Sequence, residues 1–255
     1  SGVNSLSQIN SIKKFLQLNK ANKTIFLTPD VDYKIEIDKA IKRSKINISK
    51  KYTYDTEPTK LTKQIEDITN YKIRKQNLAD ELLRVENSNL EDKEKQIEKL
   101  KKKYTIGRVN FDSIIISDFD ESLKSVITSL LYTDVSPKDK YFITFNQWFD
   151  KSLLKENNIQ PLYYPSINKK NLDDFNKKFF NEYNIKPNHL TLLSYDLLGL
   201  IYYMSLKTDF ANIDNVFKKK NSFKGKIGIF DIQNNRINHR LNFYKIHDGK
   251  IIKIF

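Results

Sequence analysis

The 255-residue chain contains no cysteine, six glycines and six prolines. Without thiols it can form neither a disulfide framework, nor a thiolate zinc site, nor a cysteine nucleophile. The scarcity of glycine argues against a phosphate-cradling loop, and no P-loop or dinucleotide-binding fingerprint occurs. No run of about 18 apolar residues is present, so the sequence offers no membrane-spanning helix. What remains is a folded chain with 39% hydrophobic residues available for a core.

The net charge of +14 arises from 45 basic and 31 acidic residues. Only six of the basic residues are arginine, the side chain whose planar fork most often reads phosphate and guanine. Tight lysine clusters occur only at residues 101–103 and 218–220, and neither is flanked by a recognisable aromatic stacking platform. The charge is therefore weak evidence for nucleic-acid binding. A lysine-driven nucleic-acid binder is kept as a third hypothesis, and nucleic acid is not the expected partner.

Apolar runs alternate with helical periodicity along the chain. Residues 24–28, 111–117 and 141–145 have the continuous apolar character of strands buried on both faces of a parallel sheet, and amphipathic patterns separate them. This rhythm predicts an α/β fold with an open, doubly wound, mostly parallel sheet. Towards the end of the chain, Asp248-Gly249 predicts a hairpin turn between two final strands.

Two segments predict unusual helices. Residues 59–104 are long, charged and almost free of glycine and proline, which indicates either a helical hairpin packed on its own domain or a coiled-coil arm. Within this segment, Ser88-Asn-Leu-Glu91 has the pattern of a capping box and predicts a new helix start. Residues 190–206 are apolar on nearly every face, which predicts a buried helix.

Catalytic or metal-binding patterns are sparse: the three histidines are scattered, and the carboxylate pairs fit helix caps better than an acid and base. No catalytic residue, metal or cofactor is expected. Polar and aromatic side chains do follow the predicted strands, and the carboxyl ends of neighbouring parallel strands meet at one edge, where ligands bind. The alternative is that the carboxylates cap helices and the tryptophan simply packs. The candidate ligand-binding residues are Asp30, Tyr33, Asp118, Phe119, Asn146, Gln147 and Trp148.

The order of several short motifs resembles the type I periplasmic binding protein fold. They are Thr-Pro-Asp-x-x-Tyr at 28–33, Phe-Asp-Ser-Ile-Ile-Ile-Ser-Asp at 111–118, Gln-Trp-Phe-Asp at 147–150, Ser-Tyr-Asp at 194–196 and Gly-x-x-Gly-Ile-Phe-Asp at 225–231. The helical segment before residue 104 is most similar to the penicillin-binding protein activator branch of that fold.

The resemblance implies a non-enzymatic domain of an envelope lipoprotein in the periplasm. Such a domain would regulate a peptidoglycan synthase or sense a small ligand, and it would meet the membrane only through a lipid anchor outside this chain. The alternative within the same fold is the solute receptor of an ABC transporter for amino acids. In receptor members a glycine follows the tyrosine after the first strand, whereas Lys34 follows Tyr33 here.

The resemblance also implies a division into lobes. Residues 1–165 with 237–255 would form one complete lobe that carries the helical insertion 59–104, and residues 166–236 would be a mainly helical part of the other lobe. The first half-lobe of the family, with the signal peptide and lipidated cysteine, would be missing. By position, Tyr33, Phe119 and Gln147 would face the cleft between lobes.

Overall fold

The computed structural model describes residues 3–207, 217–218, 221–234 and 236–255. The chain divides into two compact units. The larger unit comprises residues 1–21, 32–47 and 143–255, and the smaller unit comprises residues 22–31 and 48–142. Among the helices of the described ranges, none combines the length and the apolar character needed to cross a membrane.

The elements alternate as predicted. The helices are α1 (Ser5–Leu18), α2 (Lys34–Ser44), α3 (Pro58–Ile68), α4 (Tyr71–Glu86), α5 (Lys93–Lys101), α6 (Asp120–Tyr132), α7 (Lys169–Tyr183) and α8 (His189–Lys207). The strands are β1 (Thr24–Pro29), β2 (Lys50–Tyr54), β3 (Ser113–Ile116), β4 (Tyr141–Thr144), β5 (Leu162–Ser166), β6 (Asn221–Lys224), β7 (Ile229–Gln233), β8 (Arg236–Arg240), β9 (Asn242–His247) and β10 (Lys250–Lys253).

Three parallel strands form the sheet of the smaller unit, with β1 between β3 and β2. Phe26 on β1 lies opposite Lys51 on β2 and Ile115 on β3. Every residue of β1 and β3 is buried, as expected for apolar runs covered on both faces. The predicted strands at 24–28 and 111–117 are therefore confirmed, and their parallel pairing aligns their carboxyl ends.

The charged segment 59–104 folds as three helices within the smaller unit rather than as one coiled-coil arm. α3 buries Leu61 and Ile65, and its Thr62 hydroxyl lies 3.3 Å from that of Ser129 on α6. The expected capping box is wrong, because α5 begins at Lys93 and the Ser88 hydroxyl donates instead to the Val85 carbonyl at the end of α4. The hydroxyl thus closes the preceding helix.

Arg74 on α4 ties this helical segment to the rest of the smaller unit. Its side chain is buried, and its guanidinium donates to the Gly107 carbonyl (3.2 Å), the Thr133 carbonyl (2.9 Å) and the Thr105 hydroxyl (2.7 Å). It also donates to the Asp134 carbonyl and forms an ion pair with the Asp134 carboxylate at 3.7 Å. One planar fork therefore connects three separate stretches of chain.

In the larger unit, α1 packs on an antiparallel sheet in which β9 lies between β5 and β10. The Phe15 ring of α1 stacks on Phe243 of β9, with centroids 4.5 Å apart. The predicted Asp248-Gly249 hairpin turn is confirmed: both residues have positive φ, 49° and 66°, between β9 and β10. Strands β6, β7 and β8 form a second, three-stranded antiparallel sheet.

The expectation that helix 190–206 is buried is wrong. Only four residues of α8 are buried: Leu192, Leu193, Asp196 and Met204. Among the described residues, α8 packs through Tyr195 against Phe175 of α7, through Tyr203 against Phe223 of β6 and through His189 against Trp148. The apolar side chains of a helix favour its burial, but burial also needs another element that packs against them, and the sequence of the helix does not show whether such an element exists.

Candidate functional site

The carboxyl ends of the three parallel strands in the smaller unit carry a hydrogen-bonded cluster. Asp30 follows β1, Tyr54 ends β2 and Asp118 follows β3. The Asp30 amide donates to the Tyr54 carbonyl at 3.1 Å, and the buried Tyr54 hydroxyl donates to Asp118 Oδ2 at 2.6 Å. The parallel register thus brings two of the predicted residues, Asp30 and Asp118, to one edge of this sheet, with Tyr54 linking them.

The Asp118 carboxylate is engaged by its own unit. Besides Tyr54, the Ser122 hydroxyl donates to Oδ2 at 2.5 Å and the Phe119 amide donates to Oδ1 at 2.9 Å. Asp118 is only 6% exposed, whereas the Phe119 ring beside it is 39% exposed. At this edge the carboxylate orders the start of α6, and the aromatic ring presents the accessible surface.

A second predicted group, Asn146 and Gln147, lies in the larger unit just after β4. Asn146 Oδ1 accepts hydrogen bonds from the Ser166 hydroxyl (2.8 Å) and from the backbone amide of Trp148 (3.0 Å). The backbone amide of Asn146 donates to Gln8 Oε1 (2.7 Å). Gln147 is buried and donates to the Thr144 hydroxyl at 3.1 Å. Asn146 Nδ2 is buried without a hydrogen-bond partner among the described residues. These amides chiefly fix the loop.

Trp148 and Phe149 follow in an unusual backbone conformation. Their φ angles are 48° and 61°, in the left-handed region that bulky side chains rarely adopt. Phe149 is buried against the edges of Tyr164 and Tyr244, which holds the turn in place. Trp148 is half-buried, and its ring stacks on His189 at the start of α8, with centroids 4.8 Å apart. Such strain persists only where the surroundings enforce it, and it is enriched at ligand-contacting loops.

Tyr33, the remaining predicted residue, immediately precedes α2 in the larger unit and is 38% exposed. Asp30, Asp118 and Phe119 thus belong to the smaller unit, and Tyr33 belongs to the larger one with the Asn146–Trp148 group. The idea of a single shared rim stays a prediction. Sequence reasoning missed Tyr54, although its place at the end of a strand beside β1 was a usable signal.

The larger unit also contains a groove of about 1050 Å³ between α7, α8 and the β6–β7 hairpin, which the sequence reasoning did not identify. Aromatic rings dominate its walls, and Lys226 Nζ lies 5.9 Å from the centroid of the Tyr195 ring. The ring-bearing residues that line it are Phe175, Phe179, Tyr183, Tyr195, Tyr203, Phe223 and Phe230.

One end of the groove is fixed by Asp196 on α8. Its carboxylate is buried and accepts from the Lys226 amide at 2.6 Å and the Ile227 amide at 2.8 Å. A Cβ atom on Gly225 would collide with this carboxylate, so glycine permits the close approach of helix and turn.

His239 on β8 is buried in the larger unit beside Phe230, with ring centroids 5.7 Å apart. Burial lowers the pKa of His239 to about 4, because the charged imidazolium loses its hydration. Burial likewise raises the pKa of the Tyr164 hydroxyl. Within the part of the chain that the structure describes, no cluster of three or more His, Cys, Asp or Glu residues could hold a metal ion.

Comparison with known proteins gives structural but not sequence matches. No family model matches the chain, and no curated protein matches it. Among solved structures, an ABC transporter substrate-binding protein from Desulfitobacterium hafniense in complex with Leu has a TM-score of 0.55 at 12% identity, covering 98% of this chain and 65% of its own. A putative branched-chain amino acid ABC transporter structure from Rhodospirillum rubrum has a TM-score of 0.61 at 9% identity, covering 96% and 64%.

The C-domain of LpoA from Haemophilus influenzae, described as a regulator of PBP1A, has a TM-score of 0.57 at 12% identity, covering 100% of this chain and 68% of its own. The chain therefore spans about two thirds of the length of these three structures. These neighbours are binding and regulatory proteins. The chain has the mixed α/β fold, with a mostly parallel central sheet, of the type I periplasmic binding proteins.

Proposed function

We propose that the chain is a non-enzymatic binding-fold domain of a periplasmic cell-envelope protein that acts by contacting another protein, and that a peptidoglycan synthase is the partner. The fold is shared with the LpoA C-domain, whose description names it a regulator of PBP1A. The observation that carries the proposal is that two strand-end polar groups, the Asp118 carboxylate and Asn146 Oδ1, are hydrogen-bonded within their own units.

A solute receptor for amino acids needs polar groups free to bind an ammonium and a carboxylate. Here the Asp118 carboxylate is bound by Tyr54, Ser122 and the Phe119 amide. Asn146 Oδ1 likewise accepts two hydrogen bonds from its own unit. Freeing these groups for a ligand would break buried hydrogen bonds to charged or amide partners, which costs about 1–3 kcal/mol each.

In each unit, accessible aromatic side chains lie beside these groups. Phe119 is exposed in the smaller unit, and Tyr33 and half-buried Trp148 lie in the larger one. Exposed rings anchored on a fixed backbone are typical of protein contact surfaces. We infer that these three rings make the contacts, while Asp118 and Asn146 hold the backbone of Phe119 and Trp148 through their amides.

One observation favours the second candidate, a solute receptor. The strained backbone at Trp148 and Phe149 is of the kind found in ligand clamps, and one structural neighbour is a complex with Leu. A thermal-shift screen of the purified chain against the amino acids separates the candidates. A ligand at about 100 times its Kd would raise Tm by roughly 6 °C. We expect no amino acid to do so, and such a rise would replace the proposal by the receptor.

The positive test is binding to a purified class A peptidoglycan synthase of the same organism, measured by biolayer interferometry together with synthase activity. We expect binding, and we expect Phe119→Ala to weaken it by about tenfold, the usual effect of removing an aromatic anchor. Tyr104→Ala removes a more exposed ring (76%, against 39% for Phe119) elsewhere in the smaller unit and is the control. Absence of binding, or equal effects of the two substitutions, would refute the proposal.

A further inference from the structure

The two units differ in charge. The smaller unit contains 19 basic and 18 acidic residues, whereas the larger unit contains 26 basic and 13 acidic residues, a formal net charge of +13. Basic residues make up a similar share of both units, about one residue in six. The larger unit is therefore positive because it has few acidic residues, and a general enrichment of the chain in lysine does not explain this difference. A unit with such a charge attracts anionic partners.

Two stretches of the chain, residues 1–29 and 39–54, contain no aspartate or glutamate and ten lysine or arginine residues. In the larger unit they supply α1 and the last part of α2, and these two helices pack side by side. The half-buried Lys13 ammonium donates to the Ser44 carbonyl at 2.9 Å and so joins α1 to the end of α2. The exposed cations around this link, here called the basic face together with the exposed Leu18, are Lys14, Lys20, Lys42, Arg43 and Lys45.

The basic face is the solvent side of two helices whose apolar sides are already covered. Ile12 and Phe15 of α1 and Ile37 of α2 are buried within the chain. The basic face also lies outside residues 166–236, the segment expected to belong to an incomplete lobe. Glu36 on α2 is engaged by Lys39 at 2.7 Å. Among the described residues, no carboxylate forms an ion pair with any of the five cations.

Stabilisation of helix ends accounts for only part of this charge. Lys42 and Arg43 lie in the last turn of α2, where cations interact favourably with the free carbonyl groups. The last turn of α1 contains no basic residue, and Lys14 precedes it. Lys20 and Lys45 each have a φ of 52°, in the left-handed region where glycine or asparagine is the usual choice. The cations at these positions are therefore not explained by the helices themselves.

We propose that the basic face is the contact surface for a bilayer that contains anionic phospholipids. Four of the five cations are lysines, whose compact ammonium on a flexible stem suits mobile headgroups better than the fixed, paired contacts of arginine. Leu18 is 63% exposed and follows Lys14 by four residues, on the same side of α1. An apolar side chain among cations fits a membrane interface, where it enters the acyl boundary while the cations meet phosphate groups.

This arrangement fits a bilayer better than a nucleic acid. The basic face itself contains no aromatic ring on which a base could stack. Phe255 beside it is engaged by Phe243, with ring centroids 5.4 Å apart, and by the Lys14 ammonium, 4.3 Å from the Phe255 centroid. The inference adds a direct membrane contact to the expectation drawn from the family resemblance, which allowed contact only through a lipid anchor outside this chain.

Co-sedimentation of the 255-residue chain with lipid vesicles tests the inference, which does not rest on the proposed function. We expect binding to phosphatidylcholine vesicles that contain about 30% phosphatidylglycerol, little binding to pure phosphatidylcholine, and weaker binding as sodium chloride is added. Each cation near an anionic surface contributes about fivefold to the partition coefficient. The triple variant Lys42→Gln, Arg43→Gln and Lys45→Gln is therefore expected to bind about 100-fold more weakly.

The matched control is the triple variant Lys101→Gln, Lys102→Gln and Lys103→Gln, which removes the same charge from exposed positions of the smaller unit. We expect it to bind the vesicles within about twofold of the parent chain, because these lysines lie outside the basic face. Circular dichroism checks that both triple variants fold. No binding to the anionic vesicles, or equal weakening by the two triple variants, would overturn the inference.

Leu18→Gln separates a bilayer from a soluble polyanion. We expect this variant to bind the vesicles about fivefold more weakly, because a partly buried leucine is lost, and to bind a DNA duplex of about 20 base pairs as the parent does. Vesicle binding that is unchanged by Leu18→Gln would overturn the inference. Tighter binding of the parent chain to the duplex than to the vesicles would also overturn it and assign the basic face to nucleic acid.

Discussion

Replacement of Arg74 by lysine tests whether the guanidinium clamp holds the helical segment of the smaller unit. Lysine keeps the positive charge but replaces the planar fork by a single ammonium group. One ammonium cannot reach the Gly107 carbonyl, the Thr105 hydroxyl and the Thr133 carbonyl together, since these acceptors lie around different guanidinium nitrogens. At least two of these acceptors would lose their donor.

Each hydrogen bond to a charged donor contributes about 1.5–3 kcal/mol, so the loss of two lowers the free energy of unfolding by about 4 kcal/mol. Urea denaturation followed by circular dichroism measures this as a shift of the midpoint to lower urea concentration. The guanidinium stays charged in the native protein, although burial lowers the pKa of Arg74. The effect should therefore come from geometry, not from loss of charge.

Arg84→Lys on the same helix is the matched control. Arg84 is exposed, and among the residues that the structure describes it forms an ion pair with Glu81 alone, three residues earlier, at 2.7 Å. Exposed pairs of this kind contribute about 0.3–0.5 kcal/mol, so this variant should unfold almost like the parent. The reasoning is refuted if Arg74→Lys costs less than about 1 kcal/mol or if the two variants shift the midpoint equally.

Three further predictions concern single positions. Gly225→Ala should lower the free energy of unfolding by about 2 kcal/mol, because the new Cβ would displace the buried Asp196 carboxylate. Gly199→Ala on α8, where a Cβ would meet open space, should instead raise the free energy of unfolding by about 0.5–1 kcal/mol. Thermal melts of the two variants compare these effects. His239 is neutral in the folded state at pH 7, and its folded pKa of about 4 lies below the ordinary 6.5. The unfolded chain therefore takes up the proton first as the pH falls, and about 3 kcal/mol of stability is lost between pH 6.5 and 4; urea midpoints of His239→Phe should lack this part of the pH dependence. Tyr54→Phe removes the hydrogen bond to Asp118 and should lower the free energy of unfolding, measured with urea, by about 2 kcal/mol. An unchanged free energy of unfolding would show that this hydrogen bond is not formed in solution.

The sequence alone determined which segments form the main elements, and its lack of cysteine excluded disulfide and thiol chemistry. The runs at 24–28 and 111–117 became buried parallel strands because a continuous apolar run can be placed between two covered faces. The Asp248-Gly249 turn followed from the ease with which these residues adopt positive φ. Both signals are local, so no knowledge of distant residues was needed.

The tertiary structure decided what the polar and apolar side chains meet. Asp118 was recognised as a strand-end carboxylate, but its bond to Tyr54 depends on residues 64 positions apart in parallel register. The capping box at Ser88 failed because α5 begins only at Lys93, so Ser88 lies at the end of α4, where its hydroxyl donates to the Val85 carbonyl. Above all, the apolarity of residues 190–206 is a property of the helix alone, whereas its burial depends on a covering surface that must come from elsewhere.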